Sequence, residues 1–238
     1  AAFDAAVAEL EPRSSGGREQ LLDAIRALHQ EARNSERGFI ALDGKPLGVP
    51  NEVAARAGEA FEHTTLAKMV PFDGVVDGLR ELRSRGVRVV LHSDSAPILV
   101  KERIAALGFA DLVERTFATD QATTVHRRSL FGSEISLDLV PYRKPEAAAL
   151  RYVLASLKVS PDDAVYLGDS KTHDIPMARS AGVSAIFAEY GCRRHSPGYS
   201  KLRRVTHWTN EDVARELLYM QQDADRTVRS FEEVVAMF

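Results

Sequence analysis

At 238 residues, with 45% hydrophobic and 27% charged side chains, the chain can bury a sizeable core, and its composition excludes collagen-like and disordered classes. A formal net charge of −3 and a pI near 6.2 leave no global electrostatic footprint for nucleic acid or an anionic membrane, so neither is an expected partner. One cysteine, Cys192, excludes an intrachain disulfide framework and a thiolate metal cluster. The first seventy residues carry helical periodicity: Phe3, Val7 and Leu10, then Leu21, Leu22, Ile25 and Leu28, then Val53, Ala57, Ala60 and Phe61. The stretches EPRSSGG and ALDGKPLGVPN read as the connections. From residue 74 helices and strands alternate. GVVDGLRELRSRG is an amphipathic helix closed by Gly86, VRVVLHS a buried strand, PILVKERIAALG a helix and RTFAT a strand. PEAAALRYVLASL, AVYLG, IPMARSAG and VSAIFAE continue the alternation, and Thr209 or Asn210 caps the closing helices.

Such alternation predicts an α/β fold with a doubly wound parallel sheet, in which ligands sit beyond the carboxyl ends of the strands. No run approaches a membrane span, and the N-terminal AAFDAAVAELEPR lacks a basic segment followed by an apolar one. The expected compartment is the reducing cytoplasm.

Three strand ends carry candidate chemistry. Asp169 directly follows AVYLG, and Asp174 opens the next helix, so two carboxylates face the same crevice. Hard oxygen donors at that place suit Mg²⁺, which takes one or two carboxylates and leaves its other positions to water and phosphate. The plainer reading makes them turn and N-cap residues. Ser93 and Asp94 follow VVLH, where a hydroxyl and a backbone N–H can bind a phosphate oxygen or simply cap a helix. Lys144 precedes Pro145, which is expected to open a helix and so to hold the lysine near the same sheet edge. His92 should point to the face opposite Ser93. His173 lies inside the loop between the two aspartates, the basic stretch CRRHSPGYSKLRR reads as a solvated connection, and Trp208 reads as core.

Ser93, then Lys144-Pro145, then Gly168-Asp169 with Asp174 resemble, in that order, the motifs of the haloacid dehalogenase superfamily of phosphohydrolases. VPFDGVVDGLRELRSRGVRVVLHSD is similar to that family's approach to its second motif, and ARSAGVSAIFAEYG to the segment after its fourth. The resemblance covers roughly residues 65 to 191. It implies a Rossmann-like core over residues 71 to 238 and a helical cap over residues 1 to 70 that selects the substrate. It also implies that Ser93 and Asp94 bind substrate, that Ser93 and Lys144 act in catalysis, and that Asp169 and Asp174 hold Mg²⁺. The implied substrate is a small phosphorylated metabolite.

One element of the family's pattern is missing. The nucleophile of these enzymes is the first aspartate of an Asp-x-Asp sequence ending the central strand, and neither FDA at Asp4, LDG at Asp43 nor FDG at Asp73 supplies it. Two expectations follow: the strand lies upstream of Ala1, which the intact Lys144, Asp169 and Asp174 favour, or the chain is a degenerate member that binds without catalysing. A dehalogenase needs no metal, and the aspartate pair argues against it.

Overall fold

The computed structural model describes residues 1–14, 16–32, 44, 47–120, 136–192, 198–219 and 224–238. Two compact units emerge, one formed by Ala1–Met69 with Arg194–Ala214, the other by Val70–Arg193 with Arg215–Phe238. Among the described residues no helix is long and apolar enough to cross a membrane.

The first unit is helical, as the periodicity requires: α1 (Ala2–Leu10), α2 (Arg18–Ala32) and α3 (Asn51–Ala67). Val7, Leu10, Leu21, Ile25, Val53 and Phe61 meet in one buried cluster. Each such side chain removed from water contributes about 1.5–3 kcal/mol. Phe3 packs edge-on against Phe61 and against the buried His29, whose Nδ1 bonds the Val205 carbonyl. Burial, reinforced by His207 and opposed by that carbonyl, holds His29 below the ordinary histidine value.

The second unit is α/β. Its helices begin with α4 (Val75–Ser84) and α5 (Pro97–Leu107), and its strands with β1 (Val90–Ser93), β2 (Arg115–Thr119) and β3 (Asp138–Val140). Then follow α6 (Ala147–Leu157), β4 (Val165–Gly168), α7 (Asp174–Ala181) and β5 (Ser184–Ala188). Helix α8 (Tyr199–Val205) belongs to the first unit, and α9 (Asn210–Tyr219), β6 (Arg226–Val228) and α10 (Phe231–Val235) close the chain. Thr209 caps α9: its hydroxyl accepts the Asp212 N–H at 3.1 Å, and the Asp212 carboxylate accepts the Thr209 N–H at 2.9 Å.

All strand pairs are parallel, in two sheets ordered β1-β2-β3 and β4-β5-β6. The same two apolar layers cover both sheets. Phe117 and Val140 share one cluster with Ala185 and Phe187, joined by Val90 and Tyr166, while Ala118 shares the other with Ile186 and Val228, joined by Leu91 and Leu167. Odd and even strand positions thus sort onto opposite faces, as the twofold side-chain repeat demands. Among the described residues β1 pairs with β2 alone and β4 with β5 alone. Burial agrees: the last four residues of β2 and of β5 are buried, whereas β1 is half-buried throughout and Val165 of β4 is 43% exposed.

Candidate active site

Lys144, Asp94 and Asp174 meet at the strand ends, where Ser93 closes β1 and Asp169 follows β4. Lys144 lies in the turn between β3 and α6. The Glu146 N–H closes that turn on the Arg143 carbonyl at 2.8 Å, so Pro145, joined to Lys144 by a cis peptide, sits inside it and the helix opens at Ala147 instead. The lysine reaches inward until Nζ donates to Asp174 Oδ1 at 2.9 Å and to the His92 carbonyl at 3.3 Å. Burial works against its charge, but the Asp174 carboxylate beside it outweighs that cost, and Lys144 is raised above the ordinary lysine value. Its ammonium is therefore a permanent charge at neutral pH.

Asp174, the first residue of α7, is only 4% exposed. Its Oδ2 accepts the Ser170 N–H at 3.0 Å while Oδ1 takes Lys144, and each oxygen keeps a second lone pair. Gly168 explains how the carboxylate fits against the strand end: a Cβ there would lie 2.3 Å from Asp174 Cβ. Asp169 is exposed and has a similar backbone seat, since a Cβ on Gly191 would fall 2.8 Å from Asp169 Cβ. Burial first, then Asp169 and Glu232, pushes the neighbouring Tyr190 hydroxyl up to about 12.

Ser93 ends β1, and its Oγ accepts the Ser95 N–H at 3.1 Å, which leaves the hydroxyl proton free to donate outward. Asp94 is turned toward the chain: it accepts the Thr119 hydroxyl at 2.7 Å and the Lys144 backbone N–H at 3.1 Å. It thereby ties the end of β2 to the lysine's turn. Between the two aspartates, Ser170 Oγ lies 3.0 Å from Thr172 Oγ1 and 3.1 Å from His173 Nδ1, with His173 exposed.

The donor set suits Mg²⁺. Two carboxylates stand in glycine-lined seats at the end of one strand, and the ion's usual shell takes its remaining ligands from water and phosphate. No group of three or more His, Cys, Asp or Glu side chains that could hold a metal occurs among the described residues. Sequence reasoning missed Tyr166, Thr119 and the Gly191 seat. Tyr166 reads simply as a strand former, and nothing local marks Thr119 as the partner of Asp94. His92 faces Tyr166, as alternation predicts, at a ring separation of 6.2 Å. Trp208, expected in the core, is half-buried, its ring tilted at 43° to that of Tyr199 with centres 6.0 Å apart. Part of the basic stretch, residues 193–197, and Asp43 lie outside the described residues, while Lys201 and Arg204 pair with Asp4 and Glu19 on α1 and α2.

Known proteins resemble this chain in sequence and in fold. The phosphoserine phosphatase of Thermus thermophilus is 29% identical over 129 residues, covering 53% of this chain and 44% of the relative. The chain spans about half the length of the curated relatives it matches. A Haemophilus somnus structure described as a predicted phosphoglycolate phosphatase superposes with a TM-score of 0.56 at 14% identity, covering 99% of this chain and 91% of that one. The candidate HAD-hydrolase YfnB of Bacillus subtilis, solved bound to magnesium, gives a TM-score of 0.53 at 15% identity, covering 92% and 78%. At such identities these structures speak to the fold. The family model described as haloacid dehalogenase-like hydrolase matches residues 4–182. The chain belongs to the haloacid dehalogenase-like hydrolases.

Proposed function

We propose that these residues form the metal- and phosphate-binding part of a Mg²⁺-dependent phosphatase acting on a small phosphorylated metabolite. The observation that carries the reading is the meeting of Lys144 Nζ with Asp174 beside Asp169 and Ser93, a compact ammonium and two hard carboxylates at the carboxyl ends of parallel strands. Phosphoryl transfer depends on positioning and on charge stabilisation at the equatorial oxygens, and this group of side chains supplies both. Asp169 and Asp174 would hold Mg²⁺, which supplies positive charge toward the phosphoryl oxygens when bound. Lys144 stabilises a second oxygen, the Ser93 hydroxyl and neighbouring N–H groups orient the phosphate, and Asp94 acts by holding the lysine's backbone. Phosphoserine and phosphoglycolate, named for similar proteins, are both small phosphate monoesters carrying a carboxylate. The family resemblance assigns substrate selection to the helical residues 1–70.

The nucleophile is not supplied by the Asp-x-Asp that the sequence does contain, Asp223-Ala224-Asp225, which stands before β6 and not at the carboxyl end of a strand. In this reading it arrives on a strand beside β1 and β4. That absence also favours a second reading, a binding or regulatory protein that keeps the phosphate site without the chemistry. Calorimetry with Mg²⁺ and inorganic phosphate tests the site in either case. Phosphate should bind more tightly with Mg²⁺ present, Asp169→Ala should abolish that enhancement, and Lys144→Ala should weaken phosphate by about tenfold or more, the scale of a lost charge-assisted hydrogen bond, while sparing Mg²⁺. Binding indifferent to both substitutions would refute the assignment.

A further inference from the structure

Lys144 has a long, rotatable stem, yet the proposed chemistry needs its ammonium fixed to within a fraction of an ångström, so whatever fixes it is part of the machinery. Asp174 and the His92 carbonyl take two of its three protons. The third side of the ammonium faces Tyr166: Nζ lies 5.5 Å from that ring's centre. Tyr166 sits on β4 and His92 on β1, two strands that do not pair with each other, and the Tyr166 hydroxyl lies 3.4 Å from His92 Nδ1. His92 Nε2 is buried with no hydrogen-bond partner among the described residues. Buried polar groups are nearly always satisfied, so an orphan of this kind asks for a reason.

We infer that Tyr166 and His92 form a positioning pair that orients the Lys144 ammonium across the junction of β1 and β4, a role that rests on the phosphate-site reading given above. The proton inventory fixes the direction. Lysine can only donate, so the Tyr166 oxygen is the group that would accept its third proton, and the phenol gives its own proton to His92 Nδ1. His92 must then carry its proton on Nε2, and the unpartnered Nε2–H is the cost of keeping Nδ1 an acceptor. Charge agrees with geometry: burial, aided by Lys144 and opposed by Asp174, pulls His92 down to about 3, and burial raises Tyr166 above the ordinary tyrosine value. Over the working pH range one is a neutral imidazole and the other a protonated phenol. Tyr166 therefore acts through Lys144 and needs no contact with substrate.

Nuclear magnetic resonance of the 238-residue chain labelled with ¹⁵N-lysine tests this directly, because a lysine NH₃⁺ signal survives only where the group is held and slow to exchange. Lys144→Arg assigns the signal. Tyr166→Phe, which keeps the ring, and His92→Leu should each speed its exchange about tenfold or more, as expected for a lost hydrogen bond to a charged group. His92→Asn restores an acceptor and should largely rescue it. Amide spectra verify that each variant is folded, and the two His92 variants decide the matter if Tyr166→Phe is not. An NH₃⁺ signal equally protected in Tyr166→Phe, no rescue by His92→Asn, or no protected signal in the parent chain would overturn the inference. Phosphate titrations on the same samples report the function separately: a protected lysine that ignores phosphate refutes the phosphate site and leaves the positioning pair standing.

Discussion

Asp174 is the residue on which the site turns, because it is the one carboxylate that both faces the ammonium and sits in the proposed metal position. Its seat depends on what Gly168 lacks. A methyl group there would press to 2.3 Å against the Asp174 side chain, and the other side of that carboxylate is fixed by the Ser170 N–H and Lys144. Gly168→Ala should therefore displace the carboxylate, destabilising the protein by about 1–3 kcal/mol as overpacking does and weakening Mg²⁺ binding more than Ser170→Ala does. Urea denaturation and Mg²⁺ calorimetry measure the two effects, and a well-folded Gly168→Ala with unchanged Mg²⁺ affinity would show that the seat is not essential. The aspartates, Ser93 and Lys144 could be read in the sequence because strand ends are where an α/β sheet presents ligands. Tyr166 could not, since a tyrosine inside an apolar run looks the same whether it packs or positions. The role of Asp94 was equally hidden: its partners Thr119 and Lys144 are 25 and 50 residues away.

Elements were legible where they are long and periodic. RTFAT coincides with β2, α5 starts on Pro97 and ends before Gly108 in the left-handed region, and the first three helices follow their apolar stripes. The strands β3 and β6 escaped because three residues cannot establish a twofold repeat, and Leu139 of β3 is 47% exposed. The six parallel strands of the described residues divide into two sheets between the strand ending at Ser93 and the one ending at Gly168, the gap that a missing Asp-x-Asp strand leads one to expect. That division has a measurable consequence. Strands flanked on both sides exchange their amides only through larger openings than strands with one neighbour. Hydrogen exchange should find Phe117, Ala118, Ile186 and Phe187 in β2 and β5 better protected than the residues of β1 and β4. Equal protection across all four would mean that β1 and β4 are paired in solution.

For the whole molecule, two histidines, His29 buried and His92 half-buried, make stability depend on pH. His29 in the first unit and His92 in the second both have folded values below 6.5, so below that pH the unfolded chain binds more protons than the folded one. Stability attributable to them is complete above pH 6.5 and falls as pH falls, by about 1.4 kcal/mol per pH unit for each histidine still neutral in the fold. For His92 the loss continues toward its folded value of about 3. Urea midpoints should drop between pH 7 and pH 5, and His92→Leu should flatten the dependence of the second unit. A midpoint insensitive to pH over that range would contradict the burial of both rings.

In the proposed function Asp169, Asp174 and Lys144 serve phosphoryl transfer once a nucleophile is supplied beside β1 and β4. Phosphate release from phosphoglycolate and p-nitrophenyl phosphate, with Mg²⁺ and with EDTA, tests it most directly when this 238-residue chain is compared with one extended at its N-terminus by an Asp-x-Asp-ending strand. The account predicts no turnover from the 238 residues alone and Mg²⁺-dependent turnover from the extended chain, abolished by Asp169→Ala. Turnover by the 238 residues that disappears with Asp169→Ala would place the nucleophile within them, and an extended chain that binds phosphate but never releases product would contradict the phosphatase reading.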